Sequence, residues 1–348
     1  MYTREQTKVV KNKNLSFGGN NKVLIQSMAT FKTSDFKNVI NQIKKCEKNG
    51  ANLMRVSVLD NEDADAIKII KKHVKIPIVA DIHFDYKLAL KCMDNGVDKI
   101  RINPGNIKNK DDLEKIIKKA KETDTIIRIG VNSGSFSDEN PNKKDYEKIV
   151  DLALEYINFF ETHNFNKLVI SLKSSNPITT FEANKLFASK SNYPLHIGVT
   201  ESGFDELGIV RSVSSLSPLL LDGIGNTIRI SLTQNPIKEI ETCKRLLHDL
   251  NLYDNYPTII SCPTCGRCKV NNVKKYAKEA LKYCIKHKKY ITVAVMGCIV
   301  NGIGEGKNAD IGIAGADSTF IIFKKGQQIK IVNENNVLKE LFKEIDSL

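Results

Sequence analysis

Eight short β-rich apolar runs, each followed by a stretch of helical period, fill the first two-thirds of this 348-residue chain. They occupy 23–28, 52–58, 77–82, 99–103, 126–131, 167–173, 195–200 and 226–232. Roughly 20 to 40 residues separate successive starts, which leaves room for one crossover helix in each interval. Eight such βα units in about 250 residues is the size of a TIM barrel. An open doubly wound sheet normally carries a glycine-rich phosphate loop after its first strand, and VLIQSMATFKTSD contains no glycine. A helix over 236–253 closes the eighth unit, and DNYP at 254–257 reads as a linker. Beyond it come a helix near 270–286, a strand near 291–297, short strands within IGIAGADSTFIIFKKGQQIKIV and a last helix. The expected architecture is α/β: a TIM (β/α)8 barrel over 1–254, then a small α+β domain over 255–348.

The barrel strands share an unusual habit, because basic residues interrupt otherwise apolar runs. Arg55 lies in LMRVSV, Arg101 in KIRIN, Arg128 in IIRIG and Arg229 in TIRIS, and Lys173 ends VISLK. A charge inside a barrel costs several kcal/mol unless it is paired or kept at the wet rim. The C-terminal strand ends of this fold converge on one site, so these side chains can form a cationic bowl matched to phosphate. Asn103, Asn132 and Ser231 sit at the same strand ends as hydrogen-bond partners. The alternative is local pairing of each cation with a carboxylate such as Asp81, which belongs to the same candidate site. Glu201 ends strand seven in LHIGVTESG, and a carboxyl there, beside a bound diphosphate, is the candidate acid.

A second constellation stands in SCPTCGRC and VMGCIVNGIGEG. The polar first residues, MYTREQTKVVKNKN, show no signal peptide, and no apolar run approaches the ~20 residues that span a bilayer. A cytoplasmic location is expected, so the eight cysteines read as thiols available for metal or redox chemistry. Cys46, Cys92, Cys243 and Cys284 fall in helical patterns and read as small buried side chains. Cys262 and Cys265 place two thiolates on one turn, Cys298 follows a strand, and Cys268 offers a fourth sulfur. Structural zinc sites usually pair one C-x-x-C with a second such pair or with two histidines; a [4Fe–4S] cluster fits better. Glu305, among the glycines after Cys298, is a carboxylate able to reach iron. The C-x-x-x-C-x-x-C spacing of radical S-adenosylmethionine enzymes is absent.

The formal charge of +13 raises the question of nucleic acid. The lysines are spread along polar helix faces, as in DDLEKIIKKAKE, so a solvated exterior is expected and no nucleic-acid or membrane partner. Two rival readings stand beside an iron–sulfur enzyme. A zinc-ribbon RNA-binding protein would leave the barrel arginines without a role, whereas a barrel enzyme on another phosphorylated substrate would make the cluster structural. Small acidic carriers, flavodoxin or ferredoxin, suit the basic surface as electron donors.

The strings IQSM, RVSV, PIVADIHFDY, RINPGNI, RIGVNSGS, SLKSS, YPLHIGVTESG, GIGNTIRISL, ISCPTCGR, VAVMGC and VNGIGEGKNADIGIAG run through nearly the whole chain. On these it closely resembles the bacterial two-domain form of the 4-hydroxy-3-methylbut-2-enyl diphosphate synthase family. The resemblance implies reductive ring opening of 2-C-methyl-D-erythritol 2,4-cyclodiphosphate in the non-mevalonate isoprenoid pathway, with two electrons consumed and water released. It implies that Arg55, Arg101, Arg128, Asn132, Lys173, Arg229 and Ser231 hold the diphosphate and that Glu201 is the acid/base. Asn301 matches an asparagine that approaches substrate from the cluster side, and the implied cluster ligands are Cys262, Cys265, Cys298 and Glu305.

Three positions depart from the family pattern. Cys268 replaces a threonine. Ile303 replaces the proline of NGPGE, and with it a fixed φ. Asn226 replaces an aspartate, removing a charge able to steady an arginine. A homodimer with shared active sites is expected from the direction of the chain. The eighth helix runs back from the catalytic face, so the cluster domain departs from the opposite end, and a strand of five or six residues spans roughly 17 to 20 Å. A two-fold arrangement lets each cluster domain cover the other chain's bowl.

Overall fold

The computed structural model describes residues 4–107, 109–134, 142–317 and 319–348, with backbone alone at 301–303 and 305. The chain divides into two compact units, the first ending at Leu252 and the second running Tyr253–Leu348.

All eight expected strands are present in the first unit: β1 (Leu24–Met28), β2 (Leu53–Val58), β3 (Ile78–Ile82), β4 (Lys99–Ile102), β5 (Ile126–Asn132), β6 (Leu168–Lys173), β7 (His196–Ile197) and β8 (Thr227–Ile228). They form one parallel sheet in the order β6-β5-β4-β3-β2-β1-β8-β7, and a parallel bridge between Ile170 and Leu195 joins its two ends into a barrel. Among the described residues eight helices cover the outside: α1 (Phe36–Lys48), α2 (Asn61–His73), α3 (Tyr86–Asp94), α4 (Lys110–Glu122), α5 (Asp145–Thr162), α6 (Pro177–Lys190), α7 (Asp205–Leu221) and α8 (Pro236–Asp249). Local chemistry fixes several of their starts. Asn176 and Asn235 each cap a helix whose first residue is proline, which needs no amide partner there.

β7 and β8 are shorter than the apolar runs around them. Gly198 explains the break after β7, because a Cβ there would lie 2.4 Å from the Arg229 carbonyl oxygen and 2.6 Å from Lys173 Nζ. The chain passes too close to its neighbour for a regular ladder, yet it stays aligned through bonds such as Thr200 N to the Ser174 carbonyl, 3.1 Å.

Inside the barrel, side chains from alternate strand positions stack in levels. At the N-terminal end, a hairpin pairing Val10–Lys11 with Ser16–Phe17 fills the opening, and Val10, Leu15 and Phe17 pack on Leu53, Val79, Ile126 and Val169. This end is apolar, whereas the levels above it are polar.

The second unit holds a mixed five-stranded sheet: β9 (Thr258–Ser261), β10 (Thr292–Met296), β11 (Ile311–Ala316), β12 (Thr319–Lys324) and β13 (Gln327–Asn333), paired in sequence order. The first three are parallel and the last two antiparallel to their neighbours. Helices α9 (Val273–His287) and α11 (Val337–Asp346) bury Tyr276, Ala280, Cys284, Leu341 and Ile345 against the sheet, and α10 (Ile299–Gly304) follows Cys298. β9 was not foreseen from the sequence, where its four residues precede the cysteine motif and carry no alternation long enough to read.

Candidate active site

Register places the interior cations on neighbouring strands around the same cleft. Asp81 lies beside Arg101, Arg101 beside Arg128, and Asn132 beside Lys173 on neighbouring strands. Together with Arg55, Glu201, Arg229 and Ser231 they line a cleft of about 290 Å³ within the first unit.

The cations are not equally paired. Asp81 Oδ1 is 3.2 Å from Arg101 Nη1, and its Oδ2 lies 3.8 Å from Arg55 Nε and 3.4 Å from His83 Nε2. Burial alone would raise this carboxyl, but Arg55, His83, Arg101 and Arg128 outweigh it and hold Asp81 well below the usual carboxylate range. Arg229 binds Glu239 of α8 through Nε and Nη2 at 3.3 and 3.2 Å. Glu239 also accepts from the Ser27 hydroxyl at 2.7 Å and from the Leu232 amide at 3.0 Å. Local pairing therefore accounts for three of the five cations.

It does not account for Arg128, which is 2% exposed and, among the described residues, has neither Nε nor Nη1 in a hydrogen bond. Burial, then the like charges of Arg55 and Arg101, push its guanidinium well below the ordinary arginine value. Lys173 is also buried and lowered, first by burial and then by Arg128 and Arg55, and its Nζ lies 3.2 Å from His196 Nε2. A buried histidine, itself lowered by burial and by Lys173, is neutral and can accept from the ammonium. A site with two cations lacking carboxylate partners is electrostatically completed by an anion.

Glu201 stands exposed at the cleft with φ +51°, a backbone conformation uncommon for a residue with a side chain. Asn103 is placed differently from the other expected residues: it is buried, its Oδ1 accepts from the Gly105 amide at 3.0 Å, and it does not line the cleft. Asn226 is buried away from the arginines. Its amide bonds the Leu195 N–H at 3.0 Å and Thr7 Oγ1 at 3.1 Å, and the carboxylate that pairs with Arg229 is Glu239. Sequence reading also missed Lys99. It is fully buried, 3.5 Å from Gln26 Oε1 and above the Phe17 ring, and the alternation that points Arg101 inward points Lys99 inward too.

In the second unit Cys262 and Cys298 follow the parallel neighbours β9 and β10 and so emerge at the same end of the sheet. The Gly297 amide donates to Cys262 Sγ at 3.1 Å, and a Cβ on Gly297 would lie 2.4 Å from Cys268 Sγ and 3.4 Å from Cys262 Sγ. Glycine at 297 is what lets the C-x-x-C turn close onto the strand end that carries Cys298. Cys268 donates to the Val270 carbonyl at 3.1 Å. Cys265 is exposed, and hydrogen bonds from the backbone and then the side chain of Arg267 lower its thiol toward the thiolate. Among the described residues no three His, Cys, Asp or Glu side chains stand within reach of one metal ion, and the side chains of Asn301 and Glu305 lie outside those described. The donor chemistry nonetheless fits an iron–sulfur cluster: the soft sulfurs of Cys262 and Cys298 follow neighbouring strand ends, and Cys262 Sγ already accepts an amide hydrogen bond.

Barrel, cleft and cysteine-bearing sheet define a TIM-barrel protein with a cation-lined cleft, joined to a cysteine-rich second unit. The chain belongs to the GcpE family: residues 7–244 match the GcpE TIM-barrel domain and residues 258–347 the GcpE protein C-terminal domain. A 4-hydroxy-3-methylbut-2-en-1-yl diphosphate synthase (flavodoxin) from Caldanaerobacter subterraneus subsp. tengcongensis is 48% identical over 348 residues, covering 99% of this chain and 98% of the relative. The protein of the same name from Malacoplasma penetrans is 46% identical over 342 residues, covering 98% and 94%. Among solved structures, 7,8-dihydropteroate synthase from Vibrio fischeri superposes with a TM-score of 0.51 at 12% identity over 70% of this chain and 98% of that one, a likeness of fold alone. Among the described residues no helix is long and apolar enough to cross a membrane.

Proposed function

We propose that this chain catalyses the reductive ring opening of 2-C-methyl-D-erythritol 2,4-cyclodiphosphate to 4-hydroxy-3-methylbut-2-enyl diphosphate. Two electrons and two protons are consumed, a ring C–O bond breaks, a carbon–carbon double bond forms and one hydroxyl leaves as water. The observation that carries this reading is Arg128, a buried guanidinium with two unpartnered nitrogens facing a cleft rimmed by further cations. Arg55, Arg101, Arg128, Lys173 and Arg229 hold the diphosphate, with Asn132 and Ser231 as hydrogen-bond donors and Asp81 fixing two of the arginines. Glu201 at the cleft mouth carries the proton for the departing hydroxyl. Asn103 supports the loop after β4, and Asn301 approaches substrate from the second unit.

Cys262, Cys265, Cys298 and Glu305 would hold the [4Fe–4S] cluster. When bound, the cluster supplies electrons one at a time at low potential. A flavodoxin, the donor printed in the relatives' names, or a ferredoxin delivers them. All eight cysteines are free thiols, which supports a reducing cytoplasm. Protein purified without oxygen should contain about four irons and four sulfides per chain and turn over the cyclic diphosphate with dithionite as reductant. Zinc in place of iron, or an intact cluster without turnover, would overturn the reading.

The functional unit in this proposal is a head-to-tail homodimer. Within the first unit, Leu252 lines a cleft with Arg4 and Gly223, at the end of the barrel away from the cationic site. A second unit attached there reaches a bowl most simply on another chain. Mixing Glu201→Gln chains with Cys298→Ser chains under subunit exchange should restore activity that neither parent shows. No recovery from proven heterodimers would mean that each chain serves its own site.

A further inference from the structure

β9 is the edge of the second unit's sheet, and beside it α9 leaves a groove of about 360 Å³. Ile259, Ala277 and Leu281 give the groove an apolar floor, and Cys262, Pro263 and Thr264 form one end. Lys274 and Lys278, one helical turn apart, stand exposed along its side and make no ion pair among the described residues. α9 carries five lysines and one acid, Glu279, which is already bonded to Lys282 at 2.7 Å. The groove is therefore a small apolar strip with an uncompensated positive rim, and a proposed cluster ligand lies at its end.

We infer that this groove is the docking face for the electron donor, a small acidic flavin-carrying redox protein. The inference rests on the activity proposed above, and the relatives' names print flavodoxin as the partner. Redox encounters are weak and small, since a carrier must arrive and leave once per electron. They depend on charge complementarity for encounter and on a modest apolar contact for register. The lysines provide the first and the groove floor the second. Binding here brings the carrier's flavin to the end of the unit where Cys262 emerges. Each encounter would oxidise the reduced flavin by one electron, with the [4Fe–4S] cluster that Cys262, Cys265, Cys298 and Glu305 would hold as the acceptor, so two encounters would supply the pair that the ring opening consumes. RNA is a poorer occupant, because the groove offers no aromatic face for a base to stack on.

The test uses the cluster-loaded full chain and a bacterial flavodoxin. Flavodoxin Kd is read by titration at rising salt, and turnover is measured with flavodoxin and, separately, with dithionite. Lys274→Glu/Lys278→Glu should weaken flavodoxin binding about tenfold or more and cut flavodoxin-driven turnover accordingly, while dithionite-driven turnover stays at the wild-type rate. Wild-type Kd should rise with salt, and Lys282→Glu/Lys286→Glu, on the same helix but outside the groove lining, should change Kd little. A salt-insensitive wild-type Kd, or a Kd unmoved by the charge reversal, overturns the docking face. Loss of both activities at unchanged Kd, with altered dimer content, assigns the face to a second copy and also overturns it. Failure of wild type to turn over with dithionite would sink the proposed activity instead, while the binding measurements still decide the groove.

Discussion

Cys298→Ser is expected to abolish both iron binding and activity, the largest effect of any single change proposed for this chain. A serine hydroxyl is a far poorer iron ligand than a thiolate, and Cys298 is buried beside the glycine that accommodates the C-x-x-C turn. Cys268→Ser should keep both colour and activity, because its sulfur is committed to the Val270 carbonyl, a bond a serine hydroxyl can also make. Glu305→Ala should lose turnover and destabilise the cluster toward oxygen. Iron, sulfide and the visible spectrum of anaerobically prepared protein decide between these ligand sets. Loss of the cluster in Cys268→Ser with no effect in Glu305→Ala would make Cys268 the fourth ligand.

Glu201→Gln should lower kcat by roughly 100- to 10,000-fold with KM little changed, the signature of a proton carrier rather than a binding group. The amide keeps the size and polarity of the side chain but carries no transferable proton. Arg128→Ala should do the reverse, raising KM by about ten- to a hundredfold, as expected for one lost charge-assisted contact to a diphosphate present in both substrate and product. Steady-state kinetics with a chemical reductant separate the two. A Glu201→Gln enzyme with near-normal kcat would remove that residue from the chemistry, and an Arg128→Ala enzyme with unchanged KM would remove the bowl's deepest cation from binding.

Most of the barrel was legible in the sequence because two periodicities speak at once: apolar runs of strand length mark the sheet, and the interval between them admits one helix each. The interruption of those runs by basic residues marked Arg55, Arg101, Arg128 and Arg229 as candidates for the site. It could not say how they are paired, because Glu239 reaches Arg229 from a helix whose register against the sheet depends on packing of the whole layer. Lys99 is readable by parity with Arg101, but its place at the start of the strand gives no sign of burial. Its cover, the Phe17 ring, arrives from a hairpin more than eighty residues earlier, which no local pattern announces. Asn226 stands three residues before Arg229 in sequence, but the strand carries it to Thr7 while Arg229 lies at the cleft.

The hairpin that seats Phe17 against Leu53, Val79, Ile126 and Val169 makes the barrel a blind well. In the proposed reaction, substrate, expelled water and product would all use the mouth of the cleft that Glu201 lines, so traffic through the site would be single-file and a turnover would end only when the product had backed out the way the substrate came. Any cover over that mouth then acts as a valve. Kept shut, it holds reactive species inside; kept shut too long, it holds the product as well, and the opening rate of the cover becomes a ceiling on throughput that improved chemistry at the bottom of the well cannot raise.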